Sequence, residues 1–397
     1  METKPTLALI PSAYKAGKVY SVLPADGVGD FDFSRSGQAT RVNKDGLIET
    51  VGSNVPRLNY PMIDGVVSGC PSLLLEPQRT NVLPYSEDFS NAAWIKSNAT
   101  IISNSIISPN GSLNADELQV TSSGGNIYDN VAGSGDGVFS VFAKYKDVQY
   151  IRLRSTNSYA FFDIKNGVLG GTISTIDTKI EKYPNGWYKC SVIGNNTNSL
   201  AQIFVSSDGV NVGLGNVYLW GAQLEEGSYA TSYIPTSGSI GTRDAENAYQ
   251  QNVTQLIGQS EGTMYIEFIP KDTSAFQILY QIRSSSGTIG QTDIRLQDGN
   301  IRALANDGGS SQFNIDGGSY IAGTTYKVAV RYKLNDSNLY INGSSVGTDK
   351  SCSFTGSSLD QVSFAENLSS FSPIADILDA RLYDTALTDA ELAALTS

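Results

Sequence analysis

Apolar and polar residues alternate along most of this chain beyond residue 81. In GVFSVFAKYK (137–146) and TYKVAVRYKL (325–334), successive side chains switch between the two sides of an extended backbone. A period of two is typical of β-strands that have one face in a core. The dipeptides Asn166-Gly167 and Asn342-Gly343 interrupt such runs and predict hairpin turns. The pattern therefore predicts an all-β protein.

The same pattern divides the chain into three parts. Residues 1–80 are irregular, and two runs of short strands follow, which predict one β-sandwich over 81–240 and a second over 241–397. Near the end, Thr388 and Glu391 have the spacing of a helix capping box. We expect a short helix there, packed on the edge of the second sandwich.

The first 80 residues contain the turn dipeptides Asp26-Gly27, Asp45-Gly46 and Asp64-Gly65 and few apolar runs. Such a segment lacks the apolar surface needed to offset the entropy of ordering it. We expect it to fold against a neighbour, another subunit or a larger assembly, and on that ground we expect a homo-oligomer, a trimer.

Composition excludes several kinds of function. The net charge is −12, and no run of Lys or Arg occurs, so neither nucleic acid nor an anionic membrane is an expected partner. Histidine is absent, which excludes Ser-His-Asp and Cys-His catalysis and the HExxH zinc motif. The three cysteines are far apart and predict small buried thiols rather than disulfides. No apolar run predicts a signal peptide or membrane insertion.

Residues 325–347, TYKVAVRYKLNDSNLYINGSSVG, and residues 375–392, ADILDARLYDTALTDAEL, resemble the concanavalin A-like lectin/glucanase superfamily in its laminin-G-like branch. The resemblance implies a two-sheet sandwich. It is weak for function, because lectins, hydrolases and adhesion modules share this fold.

Two further stretches resemble parts of bacteriophage proteins. NVLPYSEDFSNAAWIKSNAT (81–100) and VYLWGAQLEEGSYATSYIPT (217–236) are similar to the ends of jelly-roll carbohydrate-binding modules in phage structural proteins. Residues 20–61, together with CPSLLLEPQRTN (70–81), look like the N-terminal segment of many phage fibres, head-decoration proteins and tail adhesins. These resemblances imply attachment to other virion proteins, of capsid or tail, through residues 1–80, and a place on the virion surface.

Catalytic residues are not expected. Glucanases of the concanavalin-like fold carry acidic residues two and four apart on one strand, and no such pattern occurs here. Glu267 stands alone in its strand, and Asp376 and Asp379 fall on opposite faces.

Aromatic rings can stack on sugar rings, which makes Trp187, Tyr159 and Tyr229 the ligand-binding candidates, although core packing also explains Trp187. No cofactor is certain. Asp26, Asp30 and Asp32 offer oxygen ligands for Ca²⁺, although turn formation also explains them.

The sequence thus predicts a non-enzymatic phage virion protein, a head fibre, decoration or tail fibre, that displays lectin-like domains to host or environmental glycans. The alternatives are a tail-associated polysaccharide depolymerase and a purely structural decoration without a ligand.

Overall fold

The computed structural model of the protein describes residues 3–67, 69–131, 135–196, 199–273, 276–286, 290–354, 358–365 and 373–397. Strands make up most of the regular structure, and the predicted all-β class with β-sandwich domains is confirmed. Among the described residues, no helix has the length and apolar character needed to cross a bilayer.

The first part of the chain forms short strands: β1 (Leu7–Leu9), β2 (Tyr14–Lys15), β3 (Lys18–Val19), β4 (Phe31–Ser34), β5 (Ala39–Val42), β6 (Ile48–Val51), β7 (Leu58–Asn59), β8 (Met62–Ile63), β9 (Val66–Val67), β10 (Ser72–Leu75) and β11 (Arg79–Asn81).

Longer strands follow in the middle: β12 (Ile95–Ser97), β13 (Ala99–Ile107), β14 (Leu113–Val120), β15 (Asn126–Val131), β16 (Gly135–Tyr145), β17 (Tyr150–Ser155), β18 (Ser158–Asp163), β19 (Val168–Ile173), β20 (Thr175–Lys182), β21 (Trp187–Asn196), β22 (Ser199–Ser206) and β23 (Gly215–Glu226). A 3₁₀ turn, Pro184–Gly186, joins β20 to β21.

The last part contains β24 (Gly241–Arg243), β25 (Asn247–Gln251), β26 (Glu261–Pro270), β27 (Gln277–Arg283), β28 (Gly290–Gln297), β29 (Asn300–Asp307), β30 (Ser310–Ser319), β31 (Tyr326–Lys333), β32 (Ser337–Ile341), β33 (Ser344–Asp349), β34 (Gln361–Ala365), β35 (Ala375–Tyr383) and the helix α1 (Asp389–Leu395). A 3₁₀ turn, Thr254–Leu256, precedes β26.

The middle domain is a sandwich of two six-stranded sheets. We call β12-β15-β22-β17-β18-β19 the free sheet and β13-β14-β23-β16-β21-β20 the junction sheet. Side chains such as Phe139, Ile151, Phe162 and Ile203 fill the space between them and are fully buried. Because strands alternate, the residues between these core positions lie on the outer face of each sheet.

The second sandwich contains an eight-stranded sheet, β33-β32-β31-β26-β35-β10-β7 with β1 also paired to β35, and a nine-stranded sheet, β2-β3-β4-β25-β34-β27-β28-β29-β30. Both sheets include strands from the first 80 residues. Leu7 lies opposite Leu382, and Leu73 lies opposite Ile377, so two N-terminal strands add to β35.

The neighbour that residues 1–80 were expected to need is therefore the chain's own C-terminal sandwich. Leu7, Phe31 and Leu73 are fully buried in its core. The ring of Phe31 stacks on Phe364 with 4.8 Å between centroids. Burial of such side chains contributes roughly 1.5–3 kcal/mol each, which a separate irregular segment could not obtain alone.

Five buried charged residues tie the segment to the rest of the chain. Arg57 donates to Glu246 at 2.7 Å and to Glu76 at 2.8 Å. Arg35 donates to Glu246 at 2.8 Å, and Arg243 lies 3.1 Å from Glu76. All five side chains are at most 1% exposed. Burial would raise the pKa of Glu76, but Arg243 and Arg57 outweigh it and hold that pKa well below its usual range.

The local turn predictions are confirmed. β18 and β19 form a hairpin at Asn166-Gly167, and the Thr388 hydroxyl accepts from the backbone N–H of Glu391 at the start of α1. Two cysteines are buried as expected, but Cys70 is exposed because it precedes β10 in an open loop.

Candidate functional site

The two sheets of the middle domain differ in what covers their outer faces. On the junction sheet, Phe142, Trp187 and Trp220 face outward, and they pack against Ile48 of the first segment and Tyr233 of the following one. The outer face of the junction sheet is therefore buried against the first segment and the segment that follows the middle domain. The outer face of the free sheet carries half-buried aromatic and polar side chains instead.

One row of side chains crosses the free sheet on this outer face. Strand register places Tyr128 opposite Gln202, Gln202 opposite Arg154, and Arg154 opposite Tyr159. Residues directly opposite on antiparallel strands have Cβ atoms about 4.5–5.5 Å apart. The row ends on β19 at Ile173, which is 50% exposed.

A second row lies two residues further along the strands. It places Phe204 opposite Arg152, and Arg152 opposite Phe161. The guanidinium carbon of Arg152 lies 3.9 Å from the Phe204 ring centroid, 4.9 Å from that of Tyr159 and 5.8 Å from that of Phe161. Phe204 and Phe161 are only 6% and 4% exposed although they face outward, because Arg152 lies over both rings.

The two arginines differ in their hydrogen bonds. Arg154 donates from Nε to the carbonyl of Thr156 at 2.6 Å and from Nη1 to Gln202 at 3.5 Å. Arg152 has a buried Nε that reaches no acceptor among the described residues. Stacking on aromatic rings, rather than hydrogen bonding, thus holds Arg152 in position.

Electrostatically, this face is a local exception in an acidic chain. Within the described residues, neither Arg152 nor Arg154 has a carboxylate within 4.0 Å. Burial lowers the pKa of the Arg152 guanidinium, and repulsion from Arg154 lowers it further, while Tyr159 acts in the opposite direction. The face can therefore offer aromatic surface and two guanidinium groups to a ligand.

Of the three predicted ligand-binding residues, the structure places only Tyr159 on this face. Its ring is half-buried and meets Phe161 edge-on at 6.0 Å. Sequence reasoning missed Arg152, Arg154 and Phe204. The signal was present in YIRLRS (150–155), where inward Ile151 and Leu153 leave the two arginines on the opposite face.

Trp187, a candidate for stacking on a sugar, is buried. Its side chain is 1% exposed, and its Nε1–H donates to the carbonyl of Ile107 at 3.2 Å. The ring lies on the covered face of the junction sheet, so neither ring face is open to a sugar. Trp187 is therefore a packing residue, which is the other interpretation of its sequence position.

Tyr229 is also buried, at 5% exposure, in the segment between the two sandwiches. The guanidinium of Arg79 covers its ring at 5.2 Å. Burial raises the pKa of Tyr229 far above its usual value. This tyrosine is therefore not available to stack on a sugar from outside.

The three aspartates considered for calcium have separate partners. Asp26 accepts from the backbone N–H two residues on, Asp30 accepts from the amide and hydroxyl of Ser21, and Asp32 lies 3.0 Å from Lys18. The described residues contain no group of three metal-ligating side chains. Asp26, Asp30 and Asp32 thus form turns and an ion pair, and the structure does not bring them together as a ligand set.

A cavity of about 340 Å³ lies where the junction sheet, the first segment and the second sandwich meet. Its charged side chains are largely paired within the chain: Lys179 lies 2.7 Å from Glu181, and Lys271 lies 2.6 Å from Asp376. Buried Lys189 donates to a backbone carbonyl of the connecting segment. The cavity thus resembles a polar junction more than a site prepared for a ligand.

The carboxylates of the second sandwich come together across two strands. Register places Glu267 of β26 opposite Asp379 of β35. However, Arg381 donates to Asp379 at 2.6 Å, and Lys271 holds Asp376. Burial raises the pKa of Asp379, and the hydrogen bonds and charge of Arg381 oppose that rise. Asp379 and Asp376 thus each have a cationic partner within the chain.

Comparison with known proteins gives a distant likeness in fold. The sequence matches no protein family, and no curated protein is significantly similar to it. Among solved structures, CBM40 of the Ruminococcus gnavus IT-sialidase, bound to α2,3-sialyllactose, is 16% identical over 37% of this chain and 91% of that chain, with a TM-score of 0.32.

Two other structures are similarly distant. Domain 4 of AbnA, a GH43 arabinanase from Geobacillus stearothermophilus, in complex with arabinotriose, is 13% identical over 43% of this chain and 83% of that chain, with a TM-score of 0.31. A pentraxin from Limulus polyphemus is 17% identical over 34% of this chain and 70% of that chain, with a TM-score of 0.29. These likenesses are too distant to indicate what this chain binds.

Proposed function

We propose that this chain is a non-enzymatic adhesion protein of a phage particle that binds glycans on the outer face of the free sheet. One observation supports the glycan-binding part of this proposal. Tyr159, Arg152 and Arg154 lie side by side on the outer face of the free sheet, and all three side chains are only half-buried among the described residues.

The chemistry of this face suits a sugar. A pyranose presents an apolar face of C–H groups, which packs on an aromatic ring such as that of Tyr159. Its hydroxyl oxygens accept hydrogen bonds, and a guanidinium donates several in a fixed plane. Arg154 is held by Thr156 and Gln202, so little side-chain entropy is lost when a ligand binds.

The phage part of the proposal is supported by the resemblance of residues 20–61 and 70–81 to virion proteins. Many copies on one particle would multiply a weak contact into firm adhesion. A trimer remains a prediction, although its original support is weaker, since residues 1–80 obtain a core within their own chain. Light scattering measures the oligomeric state, and immunogold labelling of virions against residues 250–397 tests the location.

A glycan array with the full chain tests binding, and a matched pair of variants tests its place. Tyr159→Ala should abolish most of the signal. Tyr249→Ala should not, because Tyr249 is a half-buried tyrosine on a strand of the other sandwich. An array without any positive glycan would contradict the proposal. If Tyr249→Ala abolishes binding and Tyr159→Ala does not, the binding site lies on the second sandwich.

The non-enzymatic part has its own test. Because Asp379 and Asp376 are held by cations, the chain should release no reducing ends from host polysaccharide. Reducing ends that increase with protein concentration would instead support a depolymerase.

A further inference from the structure

Arg152 and Arg154 lie two residues apart on one strand, so their side chains leave the free sheet on the same face. Their Cα atoms are separated by about 7 Å, which is within the span of one sugar residue and its substituents. Two like charges this close repel each other, and the repulsion costs free energy unless an anion lies between or beside them.

Most arginines of this chain are placed differently. Arg57 lies between Glu76 and Glu246, and Arg295 meets Asp293 through two hydrogen bonds of 2.6 Å. The chain carries 39 acidic residues against 27 basic ones. A pair of arginines without a carboxylate partner is therefore unusual within the described part of this acidic molecule.

The orientation of Arg152 adds to the argument. Its guanidinium stacks on Phe204, so an aromatic ring covers one face of the group. The donors of a guanidinium lie in its plane. Because Nε is buried, the Nη1 and Nη2 groups are the donors left to meet a planar or tetrahedral oxyanion. Fixing the plane in advance lowers the entropy cost of binding such an anion.

We propose that the ligand of this face is an acidic glycan, whose carboxylate or sulfate group is held by Arg152 and Arg154 while a sugar ring packs on Tyr159. This inference rests on the proposed glycan-binding function and names the ligand class. Carboxylated and sulfated sugars both carry an oxyanion that can accept hydrogen bonds from the arginines.

The test uses the full chain on an array with three groups of glycans: neutral, carboxylated (uronic and sialic acids) and sulfated. We expect binding to be confined to one or both acidic groups, and the array identifies which oxyanion is preferred. Binding to neutral glycans with equal strength would overturn this inference but leave the proposed function intact. No binding to any group would overturn both.

Variants then assign the oxyanion to the arginines. Arg152→Gln and Arg154→Gln should each weaken binding of the best acidic glycan about tenfold or more, measured by calorimetry. Arg302→Gln makes the same change on the second sandwich, where Arg302 lies 3.1 Å from Asp316, and should leave affinity unchanged. If Arg152→Gln lowers the melting temperature, Arg154→Gln still decides the matter. Unchanged affinity in that variant would contradict the assignment.

Discussion

The guanidinium carbon of Arg152 lies 3.9 Å from the centroid of the Phe204 ring, on the outer face of the free sheet. Arg152 is thus held by a cation–π contact, whereas most arginines of this chain form an ion pair with a carboxylate. Since the ring does not neutralise the charge, Arg152 can still engage an anion, and Phe204 determines its direction.

Replacing the ring tests this role. Phe204→Leu keeps an apolar side chain but removes the cation–π contact, which contributes about 1 kcal/mol. We expect affinity for an acidic glycan to fall about fivefold in calorimetry. Phe313→Leu is the matched control, because Phe313 lies in the core of the second sandwich. Equal losses of affinity in both variants would show a general effect on folding instead.

The buried ion network should stabilise the junction between the parts of the chain. Glu76→Gln leaves Arg57 and Arg243 without one carboxylate partner, and we expect unfolding free energy to fall by about 3–5 kcal/mol in urea titration. Asp45→Asn removes an exposed ion pair with Lys44 and should have no measurable effect. Similar small effects in both variants would contradict the role of the network.

Stability should also depend on pH through the same carboxylate. The folded protein holds the pKa of Glu76 below its usual value of 4.5, so the unfolded chain takes up a proton first as pH falls. This contribution is complete above about pH 4.5 and decreases below it. Between pH 5.5 and 3.5, unfolding free energy should fall less steeply in Glu76→Gln than in the unchanged protein. Identical slopes would contradict this prediction.

Fragments test the shared sandwich. Residues 247–397 lack Leu7, Phe31 and Leu73 from their core and the six strands β1, β2, β3, β4, β7 and β10 from their sheets, so this fragment should not fold cooperatively. Residues 82–238 contain both sheets of the middle domain and should fold, as judged by dispersed amide resonances. A folded 247–397 fragment would show that the first segment is dispensable there.

The sequence predicts those features that depend on local periodicity. In β31, Val328, Val330 and Tyr332 alternate and are fully buried in the core, as the pattern indicates. The capping box at Thr388 is likewise local, because both partners lie within one turn. Such signals need no knowledge of distant parts of the chain.

Long-range pairing is not encoded in this way. β1 and β10 are three and four residues long, too short to show a period, and their partner β35 lies more than 300 residues further on. The burial of Trp187 also depends on distant parts of the chain. Its strand is amphipathic by alternation, but only the packed structure shows that Ile48 and Tyr233 cover its outer side.

The candidate site lies between these cases. Alternation places Arg152 and Arg154 on one face, which the sequence alone indicates. The contacts of Arg152 with Phe204 and Tyr159 depend on register with β22 and β18, which only the structure provides.

The central claim is that acidic glycans bind at Arg152 and Arg154, and side-chain NMR of the arginine Nε–H groups tests it most directly. The full chain is titrated with the acidic oligosaccharide that ranks first on the array and with a neutral counterpart. We expect the Arg152 and Arg154 signals to shift with the acidic sugar, while those of Arg302 and Arg381 stay in place. Shifts confined to the second sandwich or to residues around the junction cavity would contradict it.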